Sequence, residues 1–310
     1  MSPAPTERSG VLFGVAAYGL WGVFPLYFEL LDEVSPLEVL CHRILWSLVL
    51  LAAVLGLRGD RGWLGPLVRD RSRLLRLAAA AVLIATNWIV YVWAVDQGRV
   101  VEAALGYFIC PLVTVVLGVG VLRERLRRLQ WAAVAMGASA VVVLTVAYGR
   151  PPWISLTLAV SFAGYGYLKK HIDMAPAHSL AAETAVLAPA ALAVLVVMEV
   201  RGSAEFVAGG SATSVLLVGL GLVTVAPLVC FAAAASRIPL SLLGLLQYLT
   251  PSTQFVLAVV VLGETMDLDR WVGFALVWVA LVLLSIDAVR AMRTGRRGDE
   301  VLTAAAADLG

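Results

Sequence analysis

Long apolar runs separated by short polar connections dominate the chain. A helix rising 1.5 Å per residue needs about 20 mostly apolar residues to cross a hydrocarbon core. Ten segments meet that requirement: roughly 11–31, 36–57, 74–95, 100–122, 129–147, 153–170, 178–199, 213–235, 240–262 and 269–290. Most connections are short, which favours antiparallel neighbours in one bundle. The longest polar loop is 58–73 (RGDRGWLGPLVRDRSR), and the 13 residues at 200–212 are rich in Gly and Ser. Residues 291–310 read as a basic, then Ala-rich, disordered tail. The pattern predicts an all-α membrane protein.

One stretch occurs twice. YFICPLVTVVLGVGVLRERLRRLQW, from Tyr107 to Trp131, returns 140 positions later as QYLTPSTQFVLAVVVLGETMDLDRW, from Gln247 to Trp271. Pro111, Glu124 and Trp131 reappear as Pro251, Glu264 and Trp271 with both spacings kept. Between Glu and Trp the copies carry opposite charge: Arg123, Arg125, Arg127 and Arg128 in one, Asp267 and Asp269 in the other. Short cytoplasmic loops collect Lys and Arg. The same corner is therefore inside in one copy and outside in the other, the mark of an inverted-topology repeat. The expected division is a cytoplasmic N-terminus (1–10), a five-helix repeat (11–147), a linker (148–152), an inverted five-helix repeat (153–290) and the cytoplasmic tail (291–310).

Charge placement agrees. With the N-terminus cytoplasmic, eighteen Lys and Arg fall inside and four (Arg99, Arg150, Arg201, Arg270) outside, with Arg43 in a span. Both ends are then cytoplasmic. Ten helices split five and five, and an odd half forces the second copy upside down.

Composition narrows the function. The chain is 61% hydrophobic and 14% charged, against about 45–50% and 25% in soluble domains, and its mean hydropathy is +0.92. A net charge of +2 gives no reason to expect nucleic acid as a partner. Cys41, Cys110 and Cys230 all lie in apolar segments without metal or redox spacing, so they read as small core residues. The first apolar run, 21 residues after Arg8, reads as a span and not a removable signal peptide. No P-loop, zinc-protease or nucleophile-elbow motif is present, and no catalytic constellation, so the expectation is a non-enzyme without cofactor or metal.

Candidate functional residues are the polar groups at membrane depth, which are costly there and usually face the bundle interior. On the second segment, Glu38, His42 and Trp46 share one face, while Arg43 sits about 100° round from His42. Arg43 either snorkels or pairs with a carboxylate such as Glu102 or Glu29, or it holds an anionic substrate group. Asn87 and Tyr91 share a face of the third segment. Tyr107 and Thr114 on the fourth correspond, 140 on, to Gln247 and Gln254 on the ninth, with Pro111 or Pro251 between. Each proline frees a backbone carbonyl near the midplane, where carriers bind substrates; the polar pairs could equally join helices. Trp21 and Tyr165, among glycines, are candidate cavity walls. Glu102 is a candidate proton carrier, against a salt bridge to Arg99 or Arg43. Glu124 and Glu264 sit at helix-connecting corners, and their repetition points to a structural role such as capping a neighbouring helix end.

Together the stretches LWGVFPLYF (20–28), HRILWS (42–47), NWIVYVWAV (87–95), GRVVEAALGYFICPL (98–112), LRERLRRLQW (122–131), SFAGYGYLKK (161–170) and LLQYLTPSTQFVLAVVVLGE (245–264) resemble a RarD-type member of the EamA branch of the drug/metabolite transporter superfamily. The resemblance implies ten transmembrane helices in two inverted repeats around a central cavity lined by the first four helices of each. It also implies a plasma (inner) membrane permease of the kind named for chloramphenicol sensitivity. Cys110 departs from the Asn expected before Pro111. The expectation is therefore a secondary-active exporter of small metabolites or drugs, with the bilayer, a small-molecule substrate, protons and a second copy as candidate partners. An amino-acid exporter of the same fold and a non-transporting membrane scaffold are the alternatives.

Overall fold

The computed structural model describes residues 5–60, 62–122, 128–172, 174–235, 237, 246–283 and 285–287. Arg61, the corner holding Arg123, Glu124, Arg125 and Arg127, the segment 238–245 and the tail 291–310 lie outside the described residues. Every regular element among the described residues is helical.

Local chemistry sets the helix ends. α1 (Pro5–Gly22) stops at Val23, which falls out of helical geometry one residue before α2 (Phe24–Glu29), where Pro25 occupies the first turn. α3 (Pro36–Leu57) begins at Ser35, whose side chain accepts the Glu38 amide, followed by proline at the first helical position. The short α4 (Leu64–Arg69) leads to Asp70, which caps α5 (Arg71–Asp96) by accepting the Arg73 amide. Gly98, at φ +60, then turns the chain into α6 (Val100–Leu122). α7 (Arg128–Tyr148), α8 (Trp153–Ile172), α9 (Pro176–Val200), α10 (Glu205–Ala208) and α11 (Gly210–Ala235) follow. α12 (Leu249–Val256) runs into a π-helical turn, Leu257–Val261, and α13 spans Leu268–Asp287.

Among the described residues seven helices are long and apolar enough to cross a bilayer: Ser9–Glu29, Pro36–Leu57, Arg71–Asp96, Arg128–Ala147, Pro176–Val200, Gly210–Phe231 and Leu268–Asp287. Shorter apolar stretches cover Val100–Thr114 and Leu249–Val261. The chain is an all-helical, multi-pass membrane protein. Seven of the ten expected segments qualify by length and apolarity. The sixth, α8, is 20 residues long but carries serines, tyrosines and lysines that dilute its hydropathy.

The chain forms two compact units, one of Met1–Cys110 with Trp153–Thr265, the other of Pro111–Pro152 with Met266–Gly310. In the first, α1 packs along α11 and α5 along α8, while α3 contacts both α9 and α11, and α9 contacts α5. Leu40, Ile44, Leu51, Trp88, Leu180 and Val225 meet in its core, drawn from α3, α5, α9 and α11. In the second, Leu112, Ala133 and Ala280 are packed together with Met136 and Leu283. Cys41 and Cys110 are buried and Cys230 half-buried, all as free thiols.

Candidate functional site

Arg43 stands two turns into α3, about 10 Å from its start. It is 4% exposed, so it does not snorkel. Its guanidinium carbon lies 4.1 Å from the centre of the Trp88 ring, 5.5 Å from Phe24 and 5.9 Å from Phe28. Nε donates to Thr224 Oγ1 of α11 at 3.0 Å. The terminal nitrogens have no hydrogen-bond partner among the described residues, and no described carboxylate is within ion-pair distance. Neither Glu102 nor Glu29 is its partner. A cation walled by aromatic faces gains about 2 kcal/mol when desolvated, and a planar fork with free donors suits a carboxylate or phosphate.

Phe28 links this charge to a polar group of residues, since its ring lies 5.9 Å from that of Tyr91. Tyr91 accepts a hydrogen bond from Gln254 Nε2 at 2.9 Å, and its ring lies 5.8 Å from Tyr107. Gln254 also donates to the Trp21 carbonyl at 3.1 Å, while its own Oε1 is buried without a partner among the described residues. Trp21 stacks obliquely with Tyr18 and Phe231.

Other predicted site residues lie elsewhere. Asn87 is fully engaged: its amide donates to the Leu158 carbonyl and Ser161 Oγ, each at 3.1 Å, and it accepts from Tyr107 at 3.0 Å. It joins α5, α6 and α8, the helix-joining role open to it from the sequence. His42 turns away from Arg43, as the 100° step between successive residues requires. Its Nδ1 accepts from Trp46 Nε1 at 3.2 Å, and its ring stacks on Phe206 at 4.7 Å. Gln247 is half-buried in the turn before α12 and makes no hydrogen bond with Arg43 or Asn87 among the described residues. Tyr165 donates to Glu183 Oε2 at 3.0 Å.

The two corner carboxylates divide between what is described and what is not. Glu264 follows Gly263, whose φ of +69 permits the turn, and accepts the amides of Val100 at 2.6 Å and Val101 at 3.1 Å, the first turn of α6. That is helix capping across the fold. Glu124 lies outside the described residues. Glu102 accepts from Arg99 Nε at 2.7 Å, so its cation partner is Arg99 and not Arg43.

Sequence reasoning missed two features. Thr224, the only hydrogen-bond partner of Arg43 among the described residues, is a lone threonine in an apolar run with nothing to mark it. Glu183, fully buried, contacts Lys169 Nζ at 2.8 Å, Ser179 Oγ at 2.7 Å and Tyr165. A signal for it existed: a carboxylate inside a predicted span, 140 positions after Arg43.

Helices long and apolar enough to cross a bilayer, together with the family and relatives that the sequence matches, identify a membrane transporter. The sequence matches the EamA-like transporter family twice, over residues 8–146 and 152–286. It is 50% identical to Protein RarD of Streptomyces exfoliatus, covering 97% of this chain and 94% of that one. Protein RarD of Escherichia coli is 39% identical (94% and 98% covered), and the Chloramphenicol-sensitive protein RarD of Pseudomonas aeruginosa 31% (93% and 98%). A solved crystal structure shares the fold at a TM-score of 0.57 and 19% identity, covering 91% of this chain and 99% of that one. The chain belongs to the EamA-like transporter family and, within it, is of the RarD type.

Proposed function

We propose that the protein is a secondary-active carrier exporting small metabolites or drugs, and that Arg43 holds an anionic group of the substrate. The observation that carries this reading is a buried guanidinium with free terminal donors and no carboxylate partner among the described residues. A charge at membrane depth costs about 2.5–3.5 kcal/mol on insertion scales, and a bound anion would offset that cost. Phe24, Phe28, Trp88 and Trp21 supply apolar walls, and Tyr91, Tyr107 and Gln254 the polar contacts, the mixture usual in small-molecule sites. The unpartnered Oε1 of Gln254 favours a second reading, an amino-acid exporter, because it would accept from a substrate N–H. In this reading ten helices form two inverted repeats with both termini in the cytoplasm of an inner-membrane protein. Three observations support it: the 140-residue offset, the double family match, and the mirrored packing of α1 on α11 and α5 on α8.

Uptake and efflux of a labelled metabolite panel in proteoliposomes, with an imposed proton gradient, tests transport. Loss of anionic-substrate transport in Arg43→Gln is expected. Full retention overturns the assignment of Arg43. Glu102→Gln still accumulates substrate if Glu102 serves Arg99 alone; selective loss of gradient-driven accumulation would make it the proton carrier. Reporter fusions after Asp60 and Glu205 are expected on opposite sides of the membrane, and the same side would end the inverted-repeat reading.

A further inference from the structure

The polar connection from α3 to α5 is folded down on the helices around it. Asp60 Oδ2 meets His178 Nε2, in the first turn of α9, at 2.7 Å. The Trp63 ring stacks on His178 at 5.1 Å, and its Nε1 donates to the Asp60 carbonyl at 3.1 Å. Leu67 of α4 is buried in a cluster with Leu77 and Ala80 of α5, Ile172 of α8 and Ala182 of α9. A connection that only carried solvated charge would need none of these anchors. What they hold up is a mixed surface. Leu57 at the end of α3 is 90% exposed, Val68 of α4 70% and Leu75 near the start of α5 71%. Each has an exposed arginine beside it: Arg58 follows Leu57, Arg69 follows Val68, and Arg71 lies one turn before Leu75 on the same face of α5. The carboxylates of the segment are both taken, Asp60 by His178 and Asp70 by the Arg73 amide at 3.0 Å and guanidinium at 3.6 Å. Arg58, Arg69 and Arg71 have no carboxylate within ion-pair distance among the described residues.

We propose that this surface binds anionic phospholipid, with Leu57, Val68 and Leu75 among the acyl chains and Arg58, Arg69 and Arg71 on the headgroup phosphates. An exposed apolar side chain next to an unpaired cation, three times over, fits a boundary that is hydrocarbon on one side and anionic on the other. The apolar group enters the acyl layer, and the arginine stem lets its guanidinium stay at the headgroups. A guanidinium takes a phosphate through two parallel N–H donors. Basic clusters just outside a span favour anionic lipid, by roughly fivefold in affinity for each residue. Arg58 stands 15 residues beyond Arg43 along α3, about 22 Å, so this surface is separate from the proposed transport site.

The test counts lipids bound to the full chain by native mass spectrometry, with purified protein in detergent titrated with phosphatidylglycerol and, separately, with phosphatidylcholine. Phosphatidylglycerol is expected to bind about tenfold more tightly or better. The variant combining Arg69→Gln and Arg71→Gln loses two exposed side chains and keeps the fold; it raises the phosphatidylglycerol Kd about tenfold or more and leaves phosphatidylcholine unchanged. Combining Arg150→Gln and Arg201→Gln removes two exposed arginines outside this segment and leaves both lipids unchanged. Combining Val68→Ser and Leu75→Ser weakens phosphatidylglycerol although every charge remains. Equal Kd for the two lipids, or equal losses in the two arginine pairs, overturns the proposal. Unchanged binding in the serine variant, or displacement of the lipid by millimolar inorganic phosphate, reduces the surface to a phosphate site and overturns it as well. Arg43→Gln keeps this binding whether or not Arg43 serves in transport.

Discussion

Arg43 and Glu183 stand 140 positions apart, at the same register of the two halves, and meet the problem of a buried charge in opposite ways. Glu183 is surrounded by its own fold: Lys169 neutralises it, and Ser179 and Tyr165 donate to its oxygens. Among the described residues Arg43 has one hydrogen bond, to Thr224, and aromatic rings for the rest. A buried ion completed by neighbours is part of the architecture, because removing either partner strands the other. A buried ion left incomplete is free to meet something that comes and goes.

The contrast is sharpest when each charge is removed. Glu183→Ala leaves Lys169 and Tyr165 without their acceptor and is expected to cost about 3 kcal/mol, the lower end for breaking a buried pair, because Lys169 is partly exposed. The check is the denaturation midpoint in detergent. Arg43→Gln loses about 2 kcal/mol of cation–π attraction but also a charge whose burial costs about 2.5–3.5 kcal/mol. The two largely offset, so its midpoint should stay within about 1 kcal/mol of the parent, while transport falls roughly tenfold or more, as loss of a charge-assisted contact predicts. A large stability loss in Arg43→Gln would erase the distinction. Arg43→Lys keeps the charge without the planar fork and should lie between parent and Gln in apparent affinity for a carboxylate.

Smaller effects refine the picture. Glu264→Ala frees the Val100 and Val101 amides and should cost about 1–2 kcal/mol, as loss of a helix cap does. Tyr107→Phe leaves the Asn87 oxygen unpaired, at about 1 kcal/mol. If Tyr107→Phe instead changes substrate affinity at constant stability, Tyr107 belongs with Arg43 and not with the helix-joining network around Asn87.

Much of this was legible in the order of residues. The apolar runs, the burial of Cys41 and Cys110 and the place of Glu264 at a helix-connecting corner follow from periodicity and repetition, which a chain must obey along its own length. Asn87 and Gln247 were harder. A polar residue at membrane depth must find a partner, but its sequence does not say whether the partner is another helix or a ligand, and Asn87 found α6 and α8. His42 and Arg43, adjacent in sequence, read as one site until their angular separation on α3 is followed outward to Phe206 and Trp88. Thr224 carried no signal, because nothing local separates a threonine that supports a guanidinium from one bonded to its own helix.

One contact bears on how such a carrier can move. Gly221 of α11 lies against the backbone of Trp46 on α3, so that a Cβ there would sit 2.6 Å from the Trp46 carbonyl oxygen. Where main chain meets main chain no side chain can yield, and a slide of one residue, about 1.5 Å, has no cushion to absorb it. α3 and α11 are thereby one strut, carrying Arg43 and Thr224 as a fixed pair. In the proposed carrier, a rocking motion that exposed them first to one side of the membrane and then to the other would have to bend at other joints, such as the break at Val23 or the turn at Gly263.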